Sequence, residues 1–325
     1  MKLLIVKLSS LGDVIQTMPV VADVLQKYPQ AQIDWVVEEA FAPLVERVQG
    51  VRTVIPIAQR RWRKSRWAEQ TIAEKNAFRQ KLQAQAFDAV LDFQGLIKSA
   101  WVARQARLTH GGFTGTYGNA SELCGYEWPV RWILQRTYPM PRRIHAVARY
   151  RALASAALGT DTTQAARYAL THHGVPTPGV VVLAHGTTRA DNEWPAADWL
   201  LLARHLVAQG HHVALPQANA QESVFAHAIA AEIGPMAQVW PRLSLAQVLD
   251  RMANCSGVIG VDSGLSHLAV ALDLPHVQIF SQPRVWRAGP VGCEYQVAVG
   301  GDAAPDVSVV WQAWLQVVRA RSGSV

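Results

Sequence analysis

Four short stretches of this chain carry residue types suited to chemistry on hydroxyls, phosphates and sugars. The first is Ser9-Ser10-Leu11-Gly12-Asp13-Val14, which follows an apolar run at the N-terminus. Gly12 permits a tight backbone path, and Asp13 falls in the first turn of the next helical segment. A carboxylate there either complements the helix dipole or, at the carboxyl end of a strand, removes a proton from an attacking hydroxyl. The dipole favours the ionised form, so a base is a better chemical role than an acid. The second stretch is Val261-Asp262-Ser263-Gly264-Leu265-Ser266-His267, where an apolar run turns into a helical period. A helix N-terminus offers free N–H groups and about half a positive charge, to which anions bind. Ser263, Ser266 and His267 can donate to phosphate, and Asp262 can accept from a hydroxyl. This stretch is either a diphosphate or nucleotide-sugar cradle or a capped strand–turn–helix junction.

The third is His185-Gly186-Thr187-Thr188-Arg189, leading to Trp194-Pro195. Its two hydroxyls at a strand end make either a second phosphate contact or ordinary turn chemistry. The fourth, Arg60-Arg61-Trp62-Arg63-Lys64-Ser65-Arg66-Trp67, interleaves five cations with two tryptophans. It is either a solvated basic loop or a surface for an acidic glycan or phosphorylated lipid, since Arg pairs bidentately with carboxylate and phosphate. No nucleic-acid-binding motif accompanies it. Lys98 and Arg142-Arg143 are candidates to join it in three dimensions. Neither glycine-rich turn matches a dinucleotide fingerprint or a P-loop. His172-His173 and His211-His212 are adjacent pairs without ligand spacing, so no metal site and no cofactor are expected.

These stretches need a scaffold that delivers them at strand ends. Apolar, β-branched runs at 2–8, 33–37, 51–56, 87–93, 180–185, 212–215 and 277–281 read as strands, with a short one near Val239. Helical periods fall between them, at 14–26 with a break at Pro19, near Phe41, and at 68–84, 98–107, 144–158, 195–208, 221–233, 245–252 and 307–319. The glycine-rich run 111–118 reads as a loop. Alternation of this kind implies parallel sheets covered on both faces. At 325 residues two domains are expected, 1–170 and 171–325, joined within the turn-rich segment 161–179. The last helix is expected to pack back on the first domain. The fold class is α/β, with two doubly wound domains facing a cleft and ligands at strand carboxyl ends.

Half of the residues are hydrophobic and 17% charged, which excludes a disordered chain. Residues 1–178 hold 23 basic against 13 acidic residues, whereas 179–325 hold 8 against 11. The basic half is therefore expected to meet an anionic partner. The apolar run after Lys2 is too short for a signal-peptide core, and no run approaches a membrane span. Three widely separated cysteines fit a reducing compartment. A cytoplasmic protein, peripheral to a membrane where it touches one, is the expectation.

Taken in order, SSLGDV, RRWRK, Asp92-Phe93-Gln94-Gly95-Leu96, HGTTR…WP and VDSGLSHLAVAL resemble the bacterial lipopolysaccharide heptosyltransferases of glycosyltransferase family 9. The matches run from Met1 to about residue 290, and SSLGDV with RRWRK favours the first heptosyltransferase branch over the second. The resemblance implies a GT-B fold of two Rossmann-like domains, an N-terminal one for the acceptor and a C-terminal one for the nucleotide sugar. It implies inverting transfer of L-glycero-D-manno-heptose from ADP-heptose to the Kdo of Kdo2-lipid A at the cytoplasmic face of the inner membrane, with no nucleic-acid partner. By the same resemblance Asp13 is the general base, and Asp262, Ser263, Gly264 and His267 lie on the ADP. Thr187 and Thr188 face the donor phosphates, and Glu222 lies near the ribose. Ser10, Gly12, Arg60, Arg61, Arg63 and Lys64 belong to the acceptor side. Asn192 stands where the family pattern has a lysine on the phosphates, so the site lacks that charge and leans on Arg189, His267 and the helix dipole. Three alternatives remain open here: a family-9 transferase with another donor or acceptor, a non-catalytic glycolipid-binding protein of the same fold, and, against what the resemblance implies, nucleic-acid binding through the basic patch.

Overall fold

Leu3, Leu4, Ile5 and Val6 are wholly buried, as continuous apolar runs must be when helices cover both faces of a sheet. They belong to β1 (Lys2–Val6), followed by β2 (Gln32–Glu38), β3 (Val51–Ile57), β4 (Ala86–Asp92), β5 (Arg107–Tyr117) and β6 (Arg136–Tyr138). A second set comprises β7 (Thr177–Ala184), β8 (His212–Leu215), β9 (Ala237–Val239), β10 (Cys255–Val261), β11 (His276–Phe280) and β12 (Gln296–Gly300). The structure is a computed structural model that describes residues 1–323. The chain divides into two units, Met1–Thr171 and His172 onward.

The first sheet has the order β3-β2-β1-β4-β5-β6 and the second β12-β11-β10-β7-β8-β9, with every pair parallel. Counted within its own unit, each sheet reads 3-2-1-4-5-6. The direction of winding reverses between β1 and β4, and again between β7 and β10. Loops leaving the carboxyl ends of such a strand pair diverge to opposite faces and leave a crevice for ligand. Asp13 and Gln94 follow β1 and β4; Thr187 and Asp262 follow β7 and β10.

Several expectations are refined here. The helical period near residue 20 is split into Leu11–Thr17 and Pro19–Lys27, with Pro19 at the first position of the second helix, where its missing N–H costs nothing. The glycine-rich run is not a loop: it lies in β5, which pairs β4 with a register break between Phe87 and Ala89. Two of its glycines serve close approach, because a Cβ at Gly112 would lie 2.6 Å from the Phe87 carbonyl oxygen, and one at Gly115 3.0 Å from the Tyr138 ring. The adjacent helix accordingly ends at Arg104, leaving Arg107 to open the strand. The C-terminal helix Val307–Ser322, expected on the first domain, belongs to the core of the second unit. Val307, Val310, Trp314 and Val317 form one apolar stripe that packs with Val277 and Ile279 of β11. Strands β6 and β12 lack a long apolar run and were not anticipated. Among the described residues no helix is long and apolar enough to cross a membrane.

In the first unit, Arg151 pairs bidentately with Asp23, Nε to Oδ2 at 2.7 Å and Nη2 to Oδ1 at 2.9 Å. Both side chains are buried, and the pair ties helix Ala146–Leu158 to helix Pro19–Lys27. That tie fixes the helix carrying Tyr150.

Candidate functional site

Asp13 is the third residue of helix Leu11–Thr17, in a reciprocal cap with Ser10. Its Oδ2 accepts from the Ser10 backbone N–H at 3.1 Å and from the Ser10 hydroxyl at 2.8 Å. Its Oδ1 accepts from the Tyr150 hydroxyl at 2.8 Å, and Lys7 Nζ donates to that same hydroxyl at 3.1 Å. Lys7 is buried, and also donates to the Phe93 carbonyl at 3.3 Å. The preceding turn is braced by the DFQG segment. Gln94 Oε1 accepts from the backbone N–H groups of Leu8 and Ser9, both at 3.2 Å. Asp92 in turn holds that segment, accepting from Gln94 N at 2.9 Å, Gly95 N at 3.3 Å and Ser99 Oγ at 3.0 Å. Complete burial pushes the Asp92 carboxyl up to about 6, against these hydrogen bonds and the charge of Lys7. The Ser9–Ser10 peptide is cis. Asp13 and Ser10 thus sit together, partly exposed, at the winding reversal of the first sheet.

The basic segment is divided rather than uniform. Arg61 is occupied by two carboxylates, with Nη2 3.0 Å from Glu39 Oε2 and Nη1 2.8 Å from Glu74 Oε2. Arg60 lies over the Phe41 ring at 5.8 Å, and its backbone N–H donates to Glu38 at 2.9 Å. Lys64 is exposed. Arg63 lines a cavity that Lys98 also lines, as expected for Lys98. Arg142 is not part of that lining; it pairs with Glu122 at 3.3 Å.

In the second unit Asp262 is a hub. Its Oδ1 accepts from Gln278 Nε2 at 3.2 Å and lies 3.5 Å from His267 Nε2, while its Oδ2 accepts from Asn192 Nδ2 at 3.3 Å. Burial alone raises the Asp262 pKa, but the His267 hydrogen bond and the positive charges of His267, Arg287 and Arg284 outweigh it, so the group lies below the usual carboxylate range. Thr187 Oγ1 donates to the Asp262 carbonyl at 3.5 Å and caps the Arg189 N–H at 3.3 Å. Ser263 and Gly264 open helix Gly264–Ala271, whose packing against β10 requires glycine at 260, where a Cβ would lie 2.6 Å from Ser266 Oγ. Ser263 Oγ is buried and has no hydrogen-bond partner among the described residues, leaving one donor at the helix N-terminus unused. Ser266, by contrast, turns inward to the Val261 carbonyl at 2.6 Å.

Glu222 lies on helix Ala220–Ile233, accepting from Ala218 N and Asn219 Nδ2, both at 2.7 Å. It crosses to the Thr187 loop at Gly186, where a Cβ would lie 2.8 Å from Glu222 Cδ. Thr188 and Arg189 are exposed beside it. Asp262, Ser263, Gly264, His267 and Thr187 are therefore assembled at the second winding reversal, with Glu222 bordering the same loop.

Asn192 is buried, and its amide is fully used. Nδ2 donates to the Asp262 carbonyl at 3.1 Å as well as to the carboxylate, and Oδ1 accepts from Arg284 Nη1 at 3.1 Å. Arg284 Nη2 also meets Asp191 at 2.6 Å. A cation thus stands beside position 192, carried by a residue 92 positions away. Arg284, Gln278, Tyr150 and Lys7 were not singled out from the sequence, and Gln94 stood in the Asp92–Leu96 motif without a role. The signal for Tyr150 and Lys7 was a polar residue on an otherwise buried face; Arg284 lies in an irregular segment after β11 with no such signal.

A family profile described as glycosyltransferase family 9 (heptosyltransferase) matches residues 76–309. The chain is 38% identical to lipopolysaccharide heptosyltransferase 1 of Pseudomonas aeruginosa over 307 residues, 93% of this chain and 84% of that protein. It is 38% identical to the Escherichia coli K12 protein of the same name over 286 residues, 86% of this chain and 88% of that one. The solved structure of E. coli heptosyltransferase WaaC with ADP superposes with a TM-score of 0.84 at 33% identity, covering 100% of this chain and 99% of that chain. The same enzyme with ADP-2-deoxy-2-fluoro heptose gives 0.80 at 33% identity, covering 100% of both chains. The two-domain α/β architecture is that of these GT-B heptosyltransferases. The chain belongs to glycosyltransferase family 9, the heptosyltransferases.

Proposed function

We propose that this protein transfers L-glycero-D-manno-heptose from ADP-heptose to the Kdo of Kdo2-lipid A, with inversion at the anomeric carbon, in lipopolysaccharide inner-core synthesis. The observation that carries the mechanism is Asp13, a partly exposed carboxylate fixed by Ser10 and Tyr150 at a ligand-binding strand end. The acceptor hydroxyl attacks the anomeric carbon while Asp13 takes its proton. The bond from that carbon to the diphosphate breaks, and ADP departs with the electron pair. ADP leaves readily once its charge is stabilised, so one base and one anion cradle suffice.

The cradle is the N-terminus of helix Gly264–Ala271 with the unused Ser263 hydroxyl, Thr187 and Thr188. Arg284 supplies the cation that Asn192 does not, and Asn192 keeps that guanidinium and the Asp262 carboxylate in register. Glu222 borders the ribose. Asp262 is a positioning residue, since its oxygens are engaged by Gln278, Asn192 and His267. The basic first unit meets the anionic, lipid-linked acceptor through Ser10, Gly12, Arg60, Arg63 and Lys64. Arg61, held by Glu39 and Glu74, anchors the segment before it binds anything. Similarity to proteins named lipopolysaccharide heptosyltransferase 1, and to a structure holding ADP, supports donor and pathway.

The exchange of a lysine pattern for Asn192 plus Arg284 favours one rival, a family-9 transferase with a different nucleotide sugar. A coupled ADP-release assay with ADP-heptose and Kdo2-lipid A tests both. Transfer by the wild type, with kcat reduced about 10²–10⁴-fold in Asp13→Asn at unchanged folding, is the expected result. Full activity of that variant would overturn the base assignment, and turnover only with another nucleotide sugar would favour the rival.

A further inference from the structure

Three elements of the first unit converge on a cavity of about 380 Å³, which falls within the usual range for small-ligand sites, about 300–1,000 Å³. Helix Glu69–Gln83 contributes Lys75 and Arg79, one turn apart on one face, with Phe78 beside them. Helix Ile97–Arg104 contributes Lys98, Trp101 and Val102, spaced to share a face. The basic segment contributes Arg63 and Arg66, with Trp62 behind them.

Five cations thus line one concavity with no carboxylate in the lining. Among the described residues none of the five forms an ion pair. The nearby Glu74 is committed elsewhere, accepting from Trp62 Nε1 at 2.6 Å and pairing with Arg61. Lys75 reaches only the Arg66 carbonyl at 3.3 Å, and Arg79 Nε only Gln105 Oε1 at 3.4 Å. Clustered like charges repel one another, so an anion bound here relieves repulsion as well as forming charge-assisted hydrogen bonds.

Apart from the amides of Gln59 and Gln105, the remaining lining is apolar. Trp62 and Phe78 are buried and meet edge to face at 6.0 Å between ring centroids, with Ile57 alongside. Trp101 is half exposed. A free inorganic anion uses the cations and leaves this wall wet; an amphiphile uses both.

We propose that this cavity is a binding site for an amphipathic phosphate, the head between Arg63, Arg66, Lys75, Arg79 and Lys98 and the apolar body against Trp62, Phe78 and Trp101. The inference deepens the acceptor reading and rests on it for biological meaning: the bound group is the phosphorylated, acylated anchor of the acceptor, separate from the sugar that reacts.

The test uses the full-length protein and octyl phosphate below its micelle concentration, titrated by tryptophan fluorescence and calorimetry. Inorganic phosphate and octyl glucoside serve as the two other probes. Octyl phosphate is expected to bind saturably and at least tenfold more tightly than either. The variant Lys75→Gln with Arg79→Gln should weaken octyl phosphate at least tenfold. Trp101→Ser, at an exposed position that folding does not need, should weaken octyl phosphate while leaving inorganic phosphate unchanged. Equal binding of octyl and inorganic phosphate, or unaltered affinity in both variants, overturns the proposal. Because no nucleotide or Kdo sugar is present, this outcome is independent of the transfer assay. A protein that transfers heptose but does not bind octyl phosphate defeats the cavity alone, and one that binds it without transferring heptose defeats the transferase reading alone.

Discussion

At Asp13 the two carboxylate oxygens face different donors, Ser10 on one side and Tyr150 on the other. Donated hydrogen bonds favour the ionised form, which is the form a base requires. Tyr150→Phe removes one of them and strips Lys7 of an acceptor. We expect kcat to fall about tenfold, because the carboxylate loses one of the two donors that orient it. The KM for ADP-heptose should not change, and a kcat equal to wild type would refute the role given to Tyr150. Arg284 and Asn192 make a second residue-scale case. Losing a charge-assisted hydrogen bond costs about 1.5–3 kcal/mol, so Arg284→Gln should raise the donor KM roughly 10–100-fold. Asn192→Lys alone sets two cations side by side and should also bind donor poorly, whereas Asn192→Lys with Arg284→Gln should recover most of the loss. Steady-state kinetics on the three variants decide whether the two positions share one charge.

Elements carry these side chains, and β5 illustrates what an element demands of its sequence. Its glycines look like loop punctuation, yet a Cβ at Gly112 meets the Phe87 carbonyl. Gly112→Ala should destabilise the first unit by about 1–3 kcal/mol, since backbone cannot move aside as a side chain can. Gly111 is a contrasting neighbour: nothing lies within 4 Å of its Cβ position, and only its φ of +82° opposes substitution. Thermal unfolding should therefore rank Gly112→Ala below Gly111→Ala; the reverse order would mean that β4 and β5 do not approach as described. The element pattern was legible where apolar runs were long. Ranges for β1, β4 and β8 follow directly from Leu3–Val6, Phe87–Leu91 and Val213–Leu215. It was illegible in β5, because sequence reports that a residue is glycine but not whether its missing side chain serves a turn or a neighbouring strand.

Across the whole molecule, buried titratable groups are unequally divided between the units. His185 and His276 belong to the second unit, and burial holds each neutral, pushing it down to about 4 despite backbone partners at Pro216 and Val258. Unfolding restores an ordinary histidine pKa of about 6.5, so between pH 6.5 and 4 the unfolded chain binds more protons and stability falls as pH falls. Asp92 belongs to the first unit and behaves oppositely. Its pKa near 6 exceeds the unfolded value of about 3.9, so the folded state binds the extra proton and gains stability as pH falls through 6. Acidification from pH 7 to 4.5 should thus loosen the second unit first. Hydrogen exchange, corrected for intrinsic rate, should accelerate in β7, β10 and β11 while β1 and β4 remain protected. Preferential loss of protection in β1 and β4 would contradict the assignment. His276→Gln should flatten the response by an amount on the order of 2 kcal/mol.

Sequence by itself determined the local grammar of this protein: buried strands, the turns after them, and the polar residues those turns present. Such features depend on side chains within a few positions of one another, so Asp13, Thr187, Asp262 and Ser263 announce themselves with their strands. Tertiary structure alone decided which strands are neighbours. The order 3-2-1-4-5-6 makes the ends of β1 and β4, and of β7 and β10, the places where loops part. It also brought Tyr150 to Asp13 across 137 positions and Arg284 to Asn192 across 92. It separated the basic segment into an anchored Arg61 and a cavity-facing Arg63. Pairing of this kind comes from packing two covered sheets, and no periodicity along the chain records which distant cation will meet which amide.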